Sequence, residues 1–191
     1  MNSRFWLAIE HALASQAQGV DSLDSFAGHA AVLALITDSP SPELIFTLRA
    51  KHLNHHAGEV CFPGGMWESH DASLMATALR ETHEEIGLAP NMIEVLGALP
   101  PRTTRSGTLV HPFVGRIAAD NHFRLNHHEL ETLFSVPLTA FRQGLQVRMD
   151  SFERHGVRTQ IPAYHYKGYE IWGFTAGVTA QLLDLLRSFY D

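Results

Sequence analysis

The 191-residue chain lacks several features that would place it in a specialised class of protein. Its single cysteine, Cys61, excludes an intrachain disulfide and is typical of a reducing cytoplasm, and the apolar neighbours Val60 and Phe62 indicate an inert, buried thiol. No apolar run approaches the roughly 20 residues that cross a bilayer. The apolar stretch 5–9 is too short for a signal peptide. We therefore expect a cytoplasmic protein with no membrane partner.

The chain also lacks a surplus of positive charge. Its 14 Lys and Arg residues stand against 20 Asp and Glu residues, which gives a formal net charge of −6. Sequence-independent binding to nucleic acid needs a basic face, so we expect no nucleic-acid partner. A small anionic substrate stays open, because bound metal ions can supply positive charge locally. The length and the 45% of hydrophobic residues predict one folded domain over residues 1–191.

Hydrophobic periodicity predicts an α+β fold, an α/β/α sandwich in which helices flank one mixed β-sheet. Helices are predicted over residues 1–18, 72–86, 128–134, 137–141 and 175–190, and strands over 30–36, 43–49, 93–99, 108–117, 145–152 and 157–166. The first helix opens an N-terminal extension of residues 1–27. Asp71 is predicted to cap the second helix, and Gly87 to end it in the left-handed conformation.

A cluster of carboxylates lies on the second predicted helix. Glu81, Glu84 and Glu85 stand at positions i, i+3 and i+4, so their side chains are expected on one face. Three clustered anions repel one another unless the face is well solvated or binds a cation. Mg²⁺ and Mn²⁺ take oxygen ligands and bridge to substrate phosphates, so the cluster suits either ion. Spacing alone favours the alternative, a solvated helix face with ordinary ion pairs.

The residues around this cluster resemble the signature of the Nudix hydrolases, G-x5-E-x7-R-E-U-x-E-E-x-G-U, in which U is a bulky aliphatic residue. The positions that match are Arg80, Glu81, Glu84, Glu85, Gly87 and Leu88, with Thr82 in an aliphatic slot. Counted from Gly65, the Glu slot falls on Asp71, and eight residues rather than seven separate it from Arg80. The resemblance implies a Nudix-type sheet and a Nudix box region over residues 62–88.

The longer box is similar to that of the coenzyme A pyrophosphatase branch, whose upstream signature is L-L-T-x-R-[SA]-x3-R-x3-G-x3-F-P-G-G. Residues 45–50 (IFTLRA) occupy its first part, and Gly58 and residues 62–65 (FPGG) follow at the required spacing. Asn54 stands in the slot of the second Arg, a change expected to weaken phosphate binding or to alter substrate preference. Likeness at residues 99–101, 111–115, 136–138 and 172–177 extends the resemblance over about residues 28–188.

The resemblance implies a metal-dependent enzyme that hydrolyses the diphosphate bond of coenzyme A (CoA) and its thioesters. The products would be adenosine 3′,5′-bisphosphate and a 4′-phosphopantetheine species, and the cofactor Mg²⁺ or Mn²⁺. The implied metal ligands are Glu81, Glu84 and Glu85. Glu84 is also a candidate catalytic base, as is Glu129 in a later acidic segment, for which an exposed helix-capping acid is the alternative.

The substrate-binding residues that the resemblance implies are Arg49, Lys51, His56, Gly64 and Gly65. Arg49 and Lys51 are candidates for holding a phosphate group of CoA, with a surface salt bridge as the alternative for Arg49. The two glycines would let the backbone approach the box helix without a Cβ. Arg102 and Arg105 are weaker candidates for phosphate binding.

Other functions stay open at this stage. The change at Asn54 keeps a Nudix pyrophosphatase for ADP-ribose or for dinucleotides such as NADH as the alternative. A non-catalytic nucleotide-binding Nudix module is less favoured, because all three helix glutamates are present. The adjacent His pairs, 55–56 and 127–128, lack the spacing of a zinc site. The oligomeric state is open, with a homodimer as one option.

Overall fold

A computed structural model describes residues 3–14, 26–154 and 157–187. Its helices are α1 (Ser3–Ala14), α2 (Leu74–Ile86), α3 (Leu138–Arg142) and α4 (Gly173–Leu186), with a 3-10 turn at Pro90–Met92. Its strands are β1 (His29–Asp38), β2 (Glu43–Arg49), β3 (Val60–Cys61), β4 (Gly64–Met66), β5 (Glu94–Ala98), β6 (Arg102–Thr103), β7 (Leu109–Ala118), β8 (Leu130–Pro137), β9 (Gln146–Arg154), β10 (Val157–Tyr166) and β11 (Tyr169–Ile171).

Strand β1 organises the larger sheet, whose main order is β3-β2-β1-β7-β5. It pairs in parallel with β7 from His29↔Leu109 to Asp38↔Ala118. Near its end it pairs with β2, and near its start with β4, both antiparallel. Successive β1 side chains enter two different apolar clusters, because they alternate between the faces of the sheet. Burial on both faces explains why β1 is an almost continuous apolar run.

Helices cover both faces of this sheet, so the predicted α+β sandwich is confirmed. On one face α2 contributes Leu74, Ala78 and Ile86 to a cluster with β1. On the other face α1 and α4 pack together, and α1 buries an apolar side formed by Phe5, Trp6, Ile9 and Leu13. None of the described helices is long and apolar enough to cross a membrane.

Two predictions about the elements are wrong. Residues 128–134 do not form a helix, since Leu130–Pro137 form β8, which pairs antiparallel with β2 up to Glu43↔Pro137. Pairing between strands distant in sequence here overrides a short helical pattern. The sheet is also not single, because β9, β10 and β11 form a separate three-stranded sheet. Residues 15–18 of the first predicted helix and 188–190 of the last lie outside the described residues.

Candidate active site

Helix α2 carries the acidic cluster, and both of its ends are fixed by local chemistry. The Ser73 Oγ accepts a hydrogen bond from the Ala76 N–H at 3.1 Å, so Ser73 is the N-cap and the prediction for Asp71 is wrong. At the other end Gly87 adopts φ 71°, and its N–H donates to the His83 carbonyl at 2.9 Å. This left-handed cap confirms the role predicted for Gly87.

Asp71 instead holds Arg80 in place. The Arg80 Nε and Nη2 donate to the two carboxylate oxygens of Asp71 at 2.9 and 3.0 Å. The side chain of Asp71 is only 3% exposed, and it also accepts hydrogen bonds from the Glu68 N–H and the Thr77 hydroxyl. The Arg80 guanidinium, helped by the other two donors, holds the pKa of Asp71 well below its usual range. A bidentate pair of this kind fixes the orientation of the arginine.

The oriented Arg80 contacts the box glutamates through its remaining nitrogen. Its Nη1 donates to Glu81 Oε1 at 2.8 Å and to Glu84 Oε2 at 3.1 Å. The side chains of Glu81, Glu84 and Glu85 are 16%, 54% and 4% exposed, respectively. The three carboxylates therefore differ in environment: Glu85 lies inside, Glu81 lies at the edge, and Glu84 faces solvent beside Arg80.

Glu85 is a buried carboxylate whose neighbours offset only part of the cost of removing it from water. Its Oε2 accepts a hydrogen bond from the Gly64 N–H at 3.1 Å, and its Oε1 lies 3.7 Å from Arg49 Nη1. Burial raises the pKa of Glu85 to about 8, because the Gly64 N–H and Arg49 offset only part of the desolvation and the charges of Glu81 and Glu129 add to it. Burial also raises the pKa of Glu81, against the opposing effect of Arg80.

Strand β4 brings the backbone into contact with these acids. A Cβ on Gly65 would overlap the Glu81 carboxylate, so only glycine leaves room for that side chain. Gly64 has φ 151°, and a Cβ there would overlap the Ala31 carbonyl oxygen of β1. The glycine pair thus has two separate effects: Gly64 fits β4 against β1, and Gly65 admits Glu81.

Arg49 ends β2 and points at the box helix. Its side chain is 24% exposed, and its Nε is buried without a hydrogen-bond partner among the described residues. The surface salt bridge considered for it is therefore replaced by a mostly buried pair with Glu85. Residues of both sequence signatures meet at this pair, Arg49 from the upstream one and Glu85 from the box.

The segment before β8 is docked on the end of α2. Its Arg124 and Asn126 N–H groups donate to the Ile86 and Glu85 carbonyls at 2.8 and 2.9 Å. The Glu129 carboxylate accepts a hydrogen bond from Asn126 Nδ2 at 3.2 Å, and its charge raises the pKa values of both Glu81 and Glu85. The structure therefore brings Glu129 to the side of the box helix.

Lys51 and His56 lie at the rim, in the loop between β2 and β3. The Lys51 side chain is 79% exposed, with its Nζ 3.8 Å from Glu131 Oε1. His56 is 60% exposed, and its Nδ1 lies 2.9 Å from Glu59 Oε2. Asn54 is also exposed in this loop. Each of the two side chains lies beside a carboxylate of its own surroundings, whereas the partners of Glu85 are Gly64 and Arg49.

The buried acids fit a divalent cation that takes few protein ligands. Mg²⁺ in particular is usually bound by one or two carboxylates, with waters and substrate phosphates completing the shell. Glu81 and Glu85 supply two such carboxylates, and their raised pKa values show that the surrounding protein only partly compensates the ionised forms, which a bound cation would favour. Across residues 3–14, 26–154 and 157–187, no three His, Cys, Asp or Glu side chains are gathered into a complete metal site. A protein-only cage is thus not formed, whereas a site shared with substrate is consistent with the donors.

Cys61, on β3, lies in this neighbourhood but does not act as a reactive thiol. Burial raises its pKa to about 12, so the nucleophilic thiolate is not formed near neutral pH. This agrees with the inert thiol expected from its apolar neighbours.

Comparison with known proteins agrees with this arrangement. A model of the NUDIX domain family matches residues 27–158. The Nudix hydrolase NudL of Escherichia coli O1:K1 is 40% identical over 154 residues, covering 80% of each chain. The NUDIX domain of Shewanella oneidensis NrtR, solved with ADP ribose, superposes with a TM-score of 0.51 at 16% identity over 100% of both chains. A C. elegans Ap4A hydrolase, solved as a binary complex, gives 0.54 at 14% identity over 84% of this chain and 95% of that one.

The two solved structures show a shared fold and no more, since their identities are low. The domain model covers more than half of the chain, and the curated relative is similar over four fifths of its length. The chain belongs to the Nudix hydrolase family.

Proposed function

We propose that the protein hydrolyses the diphosphate bond of CoA and its thioesters, giving adenosine 3′,5′-bisphosphate and a 4′-phosphopantetheine species. The observation that carries this proposal is the meeting of Arg49 and Glu85, whose side chains lie 3.7 Å apart. Arg49 belongs to the segment that resembles the CoA branch, and Glu85 to the Nudix box. Their contact makes both segments parts of one site.

Nudix hydrolases use divalent metal ions, and here we propose Mg²⁺ or Mn²⁺ held by Glu81 and Glu85, with Glu84 as a further ligand. Such an ion would neutralise the charge of the diphosphate and lower the pKa of a bound water. The chain itself supplies the orientation. The Gly64 N–H fixes one oxygen of Glu85, and Arg80, held by Asp71, fixes Glu81 and Glu84.

Glu84 and Glu129 are our candidates for the base that takes a proton from the attacking water. Glu84 is 54% exposed and so can contact a water molecule, although one of its carboxylate oxygens accepts a hydrogen bond from Arg80. Glu129 lies close enough to raise the pKa values of both buried acids, and its carboxylate is held by Asn126. A base must stand within hydrogen-bond reach of the water, directly or through one other water.

Arg49 is our leading candidate for binding a substrate phosphate. Its unpartnered Nε provides a donor for an oxyanion, and a charge-assisted bond there would be stronger than a neutral one. Gly64 and Gly65 are proposed to contact the substrate through their backbone, while their missing Cβ atoms leave room for β1 and for Glu81. Lys51 and His56 would bind at the rim, where each must first leave its carboxylate partner.

A Nudix pyrophosphatase for ADP-ribose or dinucleotides such as NADH is the second candidate. It is favoured by Asn54, which leaves the exposed loop without the arginine of the CoA signature. Solved proteins of this fold include one complexed with ADP ribose and one named an Ap4A hydrolase. A non-catalytic module is less favoured, because the box acids are all retained.

The test is a substrate panel of CoA, acetyl-CoA, ADP-ribose, NADH and nucleoside triphosphates, each with Mg²⁺ and with Mn²⁺. We expect the highest kcat/KM for CoA or its thioester. A clear preference for ADP-ribose or NADH would overturn the substrate and leave the family assignment intact. Tight calorimetric binding of CoA without product would favour the non-catalytic module.

We also retain three proposals that rest on the sequence alone. They are a cytoplasmic location, one Nudix domain over residues 1–191 with an extension of residues 1–27, and the homodimer as one possible assembly.

A further inference from the structure

Arg102, on β6, is a half-buried arginine with no anionic partner among the described residues. Arg80, Arg116 and Arg148 each bind at least one carboxylate. No hydrogen bond or ion pair holds the half-buried Arg102 guanidinium in the part of the chain that the structure describes. Burial lowers its pKa with no acidic neighbour to oppose the shift. Such a cation is costly unless an anion is bound to it.

Helix α4 makes room for this guanidinium. A Cβ on Gly177 would lie 2.9 Å from Arg102 Nη2 and 3.0 Å from both Cζ and Nε. The guanidinium therefore lies against the backbone of α4 at Gly177, where no side chain stands in its way. Glycine inside a helix costs about 1 kcal/mol relative to alanine, so the helix loses stability where it admits the arginine.

Arg102 stands at the same end of the sheet as the box glycines. Met66 of β4 pairs with Ala30, Ala30 with Val110, and Val110 with Arg102. Three strand spacings put Arg102 roughly 14 Å from β4 along the sheet. Helix α4 also reaches the site through Cys61. Burial is the main cause of the raised pKa of this thiol, and a hydrogen bond with Thr175 of α4 opposes the shift. The charges of Arg49 and Glu85 act on the same thiol, so Thr175 lies near both residues.

We infer that Arg102 binds an oxyanion of the substrate other than the diphosphate that is cleaved. This rests on the proposed function, in which the diphosphate lies at Glu81, Glu85 and Arg49. Strands whose backbones lie roughly 14 Å apart leave room beside the diphosphate for a second charged group on a long substrate. Two groups of CoA thioesters have this chemistry, the 3′-phosphate and a carboxylate on the acyl chain. The planar fork of Arg102 matches either one.

The test compares Arg102→Met and Arg102→Lys with the wild type on CoA, 3′-dephospho-CoA, acetyl-CoA and succinyl-CoA. In Arg102→Met, KM for the substrate with the second anion rises about 10-fold or more, since a hydrogen bond to a charged group is lost, while kcat changes less than about twofold. Arg102→Lys keeps the charge without the fork and gives an intermediate KM. An effect on CoA but not on 3′-dephospho-CoA assigns the 3′-phosphate; an effect on succinyl-CoA alone assigns the acyl carboxylate.

Gly177→Ala is the second variant, and it tests the position of the Arg102 guanidinium without replacing Arg102 itself. Its Cβ displaces the guanidinium, so KM rises as in Arg102→Met, while the melting temperature stays equal or increases because alanine favours the helix. Equal KM values for wild type and Arg102→Met on all four substrates overturn the inference. An equal rise on all four also overturns it, because Arg102 would then bind the cleaved diphosphate.

Failure of the proposed function gives a different result. If the wild type cleaves NADH but not CoA, the same variants are compared on NADPH and NADH, and a KM effect confined to NADPH supports the inference. If no substrate is cleaved, calorimetric titration with adenosine 3′,5′-bisphosphate and 5′-AMP replaces the kinetics. Equal affinity of wild type and Arg102→Met for the bisphosphate and for succinyl-CoA then overturns the inference.

Discussion

At the scale of single residues, the site contains two buried acids whose pKa values are shifted in opposite directions. Asp71 has a bidentate arginine and two further donors, which keep it ionised and lower its pKa. Glu85 has one N–H and a more distant arginine, so burial dominates and its pKa rises to about 8. The first is a structural acid that orients Arg80. The second is an acid whose ionised form a bound cation would stabilise.

Glu85→Gln tests the second role. The glutamine keeps the shape of the side chain and can still accept the Gly64 N–H, so the fold and the melting temperature should change little. The lost charge should lower kcat by about 100-fold or more, as the loss of a metal ligand and of transition-state stabilisation predicts. Glu153→Gln, on exposed β9, is the matched control and should have wild-type kinetics. Undiminished turnover in Glu85→Gln would contradict the metal role.

Asp71→Ala tests the first role. Removing one partner of a buried ion pair typically costs about 3 kcal/mol or more, so the free energy of unfolding at pH 7 should fall by that order. Urea unfolding measures it. Activity should also fall, because Arg80 then no longer fixes Glu81 and Glu84. Wild-type stability in Asp71→Ala would show that Arg80 is held by its other contacts.

The pH dependence of stability gives a separate prediction for Asp71. Its pKa is lower in the folded protein than in the unfolded chain. Its contribution is therefore present above about pH 4 and is lost as the pH falls through and below that value. Asp71→Asn should lose less stability than wild type between pH 6 and pH 3, which urea unfolding at both pH values measures. An identical loss in both proteins would contradict the assigned pKa shift.

At the scale of elements, the sequence predicts what is local and misses what depends on distant pairing. The register of the acids on α2 and the end at Gly87 follow from helical periodicity and from one glycine. The strand β8 was not predictable, because a short run such as 128–134 fits a helix until β2 supplies a partner strand. Asp71 was assigned a cap because residues of its type favour that position, whereas its partner lies nine residues later.

Substitutions at the two glycines of β4 should have different effects, one mainly on stability and the other mainly on activity. Gly64→Ala introduces a Cβ that overlaps the Ala31 carbonyl at φ 151°, so it should lower the melting temperature. Gly65→Ala overlaps only the Glu81 carboxylate, so it should lower kcat with a smaller change in melting temperature. Gly168→Ala, with no atom within 4 Å of the added Cβ, is the control for a positive φ alone. The reverse ranking of the two variants would contradict these roles.

At the scale of the whole molecule, the site is assembled from distant parts of the chain. Arg49 lies 36 positions before Glu85, and the two meet only because β2, β3 and β4 lead the chain back to α2. The sequence could name both residues through resemblance, but it could not place the arginine on the glutamate. The same holds for Arg102, whose contact with Gly177 joins β6 to α4.

Helix α1 contributes to the same core as α4, so it should affect stability and not catalysis. Ile9 and Leu13 are fully buried, and truncating either to alanine should cost about 2–5 kcal/mol. Leu7 is 62% exposed, and Leu7→Ala should change stability by less than about 0.5 kcal/mol. Chemical unfolding measures both, with kcat unchanged in the folded fraction. A large effect of Leu7→Ala would mean that this exposed side chain has a partner.

The net charge of −6 is distributed in a way that suits an anionic substrate. Several acidic residues lie on α2, where cations would offset their charge, while Arg49 and Arg102 are partly buried cations without full compensation. Local charge therefore favours a phosphate compound even though the whole chain is acidic.

The most direct measurement of the central claim is the mass of the products formed from CoA with Mg²⁺ or Mn²⁺. We expect adenosine 3′,5′-bisphosphate and 4′-phosphopantetheine in equal amounts, with both products lost in Glu85→Gln. Intact CoA under conditions in which ADP-ribose or NADH is cleaved would contradict it, as would release of phosphate and 3′-dephospho-CoA.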